Sequence, residues 1–183
     1  MHVGRSVPLW ALALVLLFLS LLPASAGAQE SSLYIIHASF VRNFLKFTTF
    51  PEEIENYQNW TICIANDRMV KKIFLPLETK QVRDKGIFVT SIAPLAEASS
   101  CQVLFFPSSK EELVSPTLKT LGVAPVLTVS DSSGFSLKGG MIELYEKADR
   151  VKFKINLKAA QRANIKFSSR LLHLAEIEDG VIN

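Results

Sequence analysis

Apolar residues at Leu33, Ile36, Phe40, Phe44 and Phe47 recur at spacings of three and four, which predicts a helix over 32–47. A second stripe, Tyr34, Ala38, Val41 and Leu45, runs beside the first, and Ser39, Arg42, Asn43 and Lys46 complete a polar face. An apolar arc this wide exceeds what one sheet contact requires. The helix is therefore either deeply buried or also meets a second protein, and Pro51 ends it.

Downstream the pattern alternates. Residues 61–65 (TICIA) read as a strand, 70–77 as a helix closed by Pro76, and 86–92 (GIFVTSI) as a second strand. Residues 101–106 (CQVLFF) make a third strand, 109–121 a helix that Pro116 interrupts, and 125–130 (PVLTVS) a fourth strand. Continuous apolar strands alternating with helices predict an α/β domain with a mainly parallel sheet covered on both faces. Residues 141–146 and 150–157 then read as a C-terminal β-hairpin turning at Lys147–Asp149, with Val151, Phe153 and Ile155 on its dry side. Asn156 is placed to cap a helix from Leu157, and Ser168 to cap a last short helix.

The first 28 residues stand apart. A weakly basic start, the apolar run PLWALALVLLFLSLLP and small residues at Ala24–Ala28 have the form of a secretory signal peptide, which leaves 29–183 as one domain. An exported chain changes how its two cysteines are read. An even count without C-x-x-C favours a structural disulfide, Cys63–Cys101, over metal or thiol chemistry. The two sit on the first and third predicted strands, which the common doubly wound strand orders place side by side. The formal net charge of +3 is too small to argue for nucleic acid.

The stretch GFSLKGGM (134–141) has the glycine spacing of a phosphate-cradling loop. Such a loop needs Lys and then Ser or Thr after its last glycine and must open a helix. Here Gly140 and Met141 follow, and a strand opens instead. The glycines serve either a tight connection into the hairpin or a ligand-binding loop after a strand, where α/β sheets usually bind. No G-x-S-x-G, H-E-x-x-H or comparable template is present, so the chain reads as no enzyme and as needing no cofactor or metal. His37 and His173 read as packing or partner residues.

Taken in order, HASFVRNFLKFTTFP, CQVLFF, PVLTVSDSSGFSLKGGMIEL, VKFKINLKAAQRA and IKFSSRLLHLA resemble the YfiR family of exported bacterial proteins, over about residues 34–175. The resemblance implies a compact, periplasmic α/β protein, often dimeric and without enzymatic activity. It implies a repressor that holds an inner-membrane diguanylate cyclase inactive by direct contact, under redox or small-molecule control. The alternative partner is a membrane sensor kinase, served by a ligand-binding module. Cys63 and Cys101 match the family's strand cysteines; where some members carry a second pair near the glycine loop, this chain has Ser132 and Ser133.

Two candidate sites follow. Phe40, Phe44, Phe47 and Phe50 are anchors for a partner or a second copy of the chain, with core packing the expected role of half of them. Ser130, Asp131, Gly139 and Gly140, together with Ser168, Ser169 and Arg170, are candidates for an anionic or aromatic ligand. For the last three, a solvated turn is the other reading. Arg42 and Asn43 join that set only if the first helix packs beside the last.

Overall fold

A computed structural model describes residues 26–93 and 95–178. The expected leader lies outside the described residues except for its last three, which open the first helix. That helix, α1 (Ala26–Lys46), starts six residues before the span 32–47 that the apolar pattern predicts. A two-residue strand β1 (Thr48–Thr49) and a single turn α2 (Glu52–Glu55) follow, the latter beginning at Pro51.

The parallel strands are β2 (Asn59–Ala65), β4 (Lys85–Ile92), β5 (Val103–Phe106), β6 (Leu127–Ser130) and β7 (Ile142–Lys147). Short β3 (Gln81–Val82) edges β4, and β8 (Arg150–Ile155) returns antiparallel beside β7. The C-terminal β10 (Glu176–Ile177) closes the other edge, giving the order β10-β8-β7-β6-β5-β2-β4-β3. A separate pair joins β1 to β9 (Lys166–Phe167). The fold is thus a single α/β domain with a mixed, mostly parallel sheet of eight strands.

Side-chain alternation sorts the sheet into two cores. Trp60, Ile62 and Ile64 of β2, Phe105 of β5 and Val129 of β6 face the layer that carries α1, α3 (Arg68–Phe74) and α5 (Leu157–Arg162). Cys63, Leu104 and Phe106 face the opposite layer, where α4 (Val114–Leu121) and Phe135 cover them. The disulfide lies in that second core, with Cα atoms 5.9 Å apart.

Several boundaries differ from the sequence pattern for physical reasons. Cys101 is not on β5; it closes the 3-10 turn Leu95–Ser100, its N–H donating to Ala98 O. The ladder is continued there by a side chain, since Thr61 N–H donates to Gln102 Oε1. Pro116 does not interrupt a helix. Residues Ser108–Leu113 form a 3-10 segment, and Pro116 stands in the first turn of α4, where its missing N–H has no intrahelical partner to lose. Pro76 likewise sits inside a 3-10 segment, Leu75–Thr79, that follows α3. The hairpin turn is the two residues Ala148 and Asp149, with φ of 51° and 56°, the left-handed pair that matches strand twist.

Candidate functional site

The nine residues proposed for a ligand do not converge. Ser130 and Asp131 end β6 beside α1: Asp131 Oδ2 is 3.6 Å from His37 Nδ1 and its Oδ1 accepts from Ser108 N–H at 2.6 Å. Ser168 is tied to the residue just past the C-terminus of α1, its N–H donating to Phe47 O. His37 and Phe47 are ten residues apart, about 15 Å along the helix. Gly139 and Gly140 lie elsewhere, in the crossover between β6 and β7, Gly140 against Phe135 and Gly139 near Arg162 of α5. Arg42 is half-buried with Nε unpartnered, and Asn43 is exposed; no hydrogen bond among the described residues links either to Ser168, Ser169 or Arg170.

Ser168 does cap the last helix, α6 (Ser169–Leu172), its Oγ accepting from Leu171 N–H, and Ser169 and Arg170 lie exposed on that single turn. Asn156 caps α5 as its position predicts.

The crevice at which such sheets usually bind ligands lies where the strand order reverses, at the C-terminal ends of β2 and β5. Here hydrogen bonds occupy it. Asp67 follows β2 and caps α3, accepting from Met69 and Val70 N–H at 2.9 Å, and also accepts from Ser109 Oγ at 3.2 Å. Asp131 holds Ser108. The N-terminal half of α1 covers this end, with Tyr34 and His37 packed edge-on or tilted against Phe105. Burial lowers the His37 pKa to about 4, so the ring is neutral at pH 7. The Asp131 carboxylate is too far for a hydrogen bond and does not offset that loss of water.

The glycine stretch is the crossover from β6 to the parallel strand β7. It wraps around Phe135, which is fully buried against Phe106. Gly140 N–H donates to Phe135 O, and a Cβ on Gly140 would fall within the Phe135 ring. Gly139 takes φ +97°, a conformation that side-chain-bearing residues avoid. Both glycines therefore close the loop on its own aromatic anchor.

A polar cluster missed in the sequence pins this crossover to the hairpin. Buried Glu143 accepts from Ser136 N–H and Oγ at 3.1 and 2.8 Å. Lys154 Nζ stands 3.7 Å from Glu143 and 3.3 Å from Glu178, and the Ser136 hydroxyl, with its one proton, lies within reach of both carboxylates. The Lys154 pKa is raised: burial alone would lower it, but the carboxylates of Glu143, Glu178 and Glu176 outweigh that. The sequence held no signal for this inward carboxylate, because Glu143 alternates with Ile142 and Leu144 in a strand that also carries Glu146 and Lys147 and so reads as a wet-face residue.

Of the four phenylalanine anchors, Phe44 and Phe50 are core residues, about 1% and 3% exposed, and present no surface to a partner. Phe44 packs on Phe153 and Phe50 on Trp60. Phe40 and Phe47 are half-buried at the flank of α1. The stripe Tyr34–Ala38–Val41–Leu45 is the one that faces the sheet; Ile35 and Ile36 are left 60% and 43% exposed.

The profile of the YfiR/HmsC-like family matches residues 34–176, spanning the strands, the crossover and the hairpin just described. The chain belongs to the YfiR/HmsC-like family. This family is regulatory rather than catalytic and periplasmic, and membership supports a regulator of cyclic di-GMP signalling at that level. Among solved structures, a conserved domain protein from Vibrio cholerae O1 biovar El Tor shares the fold at a TM-score of 0.59 and 10% identity. The alignment covers 79% of this chain and 60% of that one, so this chain spans about three fifths of its neighbour's length. No curated protein matches. Among the described residues, no helix is long and apolar enough to cross a membrane.

Proposed function

We propose that the chain is exported by a cleaved leader, residues 1–28, and that residues 29–183 repress an inner-membrane diguanylate cyclase by direct contact in the periplasm. The observation that carries this reading is the family match across 34–176, which is nearly all of the described fold. The contact surface is the outer face of α1. Ile35 and Ile36 stand in water there, flanked by half-buried Leu33, Phe40 and Phe47. Its polar neighbours Ser32, Ser39 and Asn43 are uncharged, and the one exposed cation beside it, Lys46, lies over the Phe47 ring, where its flexible stem can keep the charge in water. A homodimer through the same face is compatible with this and would compete with the cyclase for it.

Redox control at Cys63–Cys101 is not part of the proposal. Both cysteines are about 1% exposed, which withholds the sulfurs from an attacking thiolate. The pair acts as a staple between β2 and the turn before β5.

The test is crosslinking in intact cells with an affinity-tagged chain. A membrane-embedded cyclase is expected with wild type and should be lost with Ile36→Asp, a surface change that leaves the melting temperature where it was. Recovery of no membrane protein with wild type would remove the proposal. Recovery of a sensor kinase would replace the cyclase as partner.

A further inference from the structure

A cleft of about 590 Å³ opens at the end of the sheet where β6 begins, between α4 of one layer and α5 of the other. That is the opposite end from the crevice closed by Asp67 and Asp131. Its floor is apolar: Leu118 from α4, Val126 ahead of β6, Met141 ahead of β7 and Ala159 from α5. Its polar rim is of one sign. Lys119, Lys138 and Arg162 line it, and none of the lining residues is acidic. Lys138 is paired with Glu111, whereas Lys119 and Arg162 have no hydrogen-bond or ion-pair partner among the described residues. Arg162 lies against the crossover, its Nη2 3.9 Å from where a Gly139 Cβ would stand, so the absent side chain keeps that wall open.

We propose that this cleft binds a small organic anion with an apolar body, its acid group held by Arg162 and Lys119 and its carbon skeleton lying on Leu118, Val126 and Met141. The volume is in the range of ligand pockets. An apolar floor gives the affinity, and two unpaired cations at one rim fix which end of the ligand points out. A neutral apolar molecule leaves those cations unused, and an inorganic anion leaves the floor wet. The site deepens the ligand-modulated form of the repressor reading and rests on that reading for its consequence alone, since binding is a property of the purified chain.

Fluorescence titration with anilinonaphthalene sulfonate, and with uncharged N-phenylnaphthylamine as its control, tests the assignment. Wild type is expected to bind the sulfonate saturably at one site, and the Lys119→Gln/Arg162→Gln pair to weaken it about tenfold while leaving the neutral dye unchanged. Val123→Trp, at an exposed rim position, should exclude both dyes. All three positions are at the surface or rim, so the folded state is preserved and near-ultraviolet circular dichroism verifies it. Sulfonate binding that survives the double substitution or Val123→Trp overturns the site. Binding lost as expected, in a strain whose cyclic di-GMP never depended on this gene, keeps the site and removes the repressor reading.

Discussion

His37 shows how packing at a single residue sets a pH response. The ring is 2% exposed between α1 and Phe105, and burial takes its pKa from 6.5 to about 4. The unfolded chain therefore takes up a proton as pH falls through 6.5, and the folded chain does so only near 4. Stability is unaffected above pH 7 and declines between 6.5 and 4, by about 2–3 kcal/mol at pH 4.5. Urea unfolding at pH 7 and 4.5 should show that loss in wild type and a smaller one in His37→Gln; equal losses would contradict it. Gly140 offers a second test. Gly140→Ala drives a methyl into the Phe135 ring and should cost about 1–3 kcal/mol. A melting temperature equal to wild type would show that the crossover is looser than described. At this scale the sequence displayed the cysteine pair through its even count in an exported chain, although Cys101 stands just ahead of β5 and not on it, but not the fate of the phenylalanines. Phe44 and Phe40 belong to one periodic stripe, and only the angle at which α1 meets the sheet separates a core ring from a flanking one.

Elements were legible where apolar runs were long. β2, β5 and β6 announce themselves as continuous apolar segments because both of their faces are largely buried, and the hairpin does so because one face is wet; β4 is apolar too, although Phe88 on its outer face is exposed. The two-residue strands β1, β3, β9 and β10 leave no periodicity to detect. Their pairing depends on chain segments that only the fold brings together, as when Thr48 meets Phe167. Prolines misled for a related reason: Pro116 and Pro76 break α-helical ladders, yet each sits where no α-helical hydrogen bond is formed. Between elements, the disulfide spans 38 residues and ties β2 to the segment entering β5. In the loop-entropy description its removal costs about 4 kcal/mol. Cys63→Ser/Cys101→Ser should melt lower than wild type under oxidising conditions while still recovering the membrane partner. Unchanged melting, or loss of the partner at a temperature where the variant is folded, would mean that the bond is more than a staple.

For the whole molecule, family and fold were readable and the site was not. A sequence states that Asp131, Gly139 and Arg170 are polar, cationic or glycine, but not that Asp131 stands beside His37 in the middle of α1 while Ser168, next to the turn that carries Arg170, is bonded to Phe47 just past its end. Conversely, Lys119, Lys138 and Arg162 are scattered singly along the chain and gather only because α4, the β6–β7 crossover and α5 meet at the end of the sheet where β6 begins. As proposed, this domain is an exported repressor whose α1 face meets a membrane cyclase, with the anion cleft at the opposite end of the sheet as its point of control. The most direct test is cellular cyclic di-GMP in the host with and without this gene. The account predicts a rise on deletion, reversed by the intact gene and not by one lacking residues 1–28. An unchanged or lower level on deletion would contradict it.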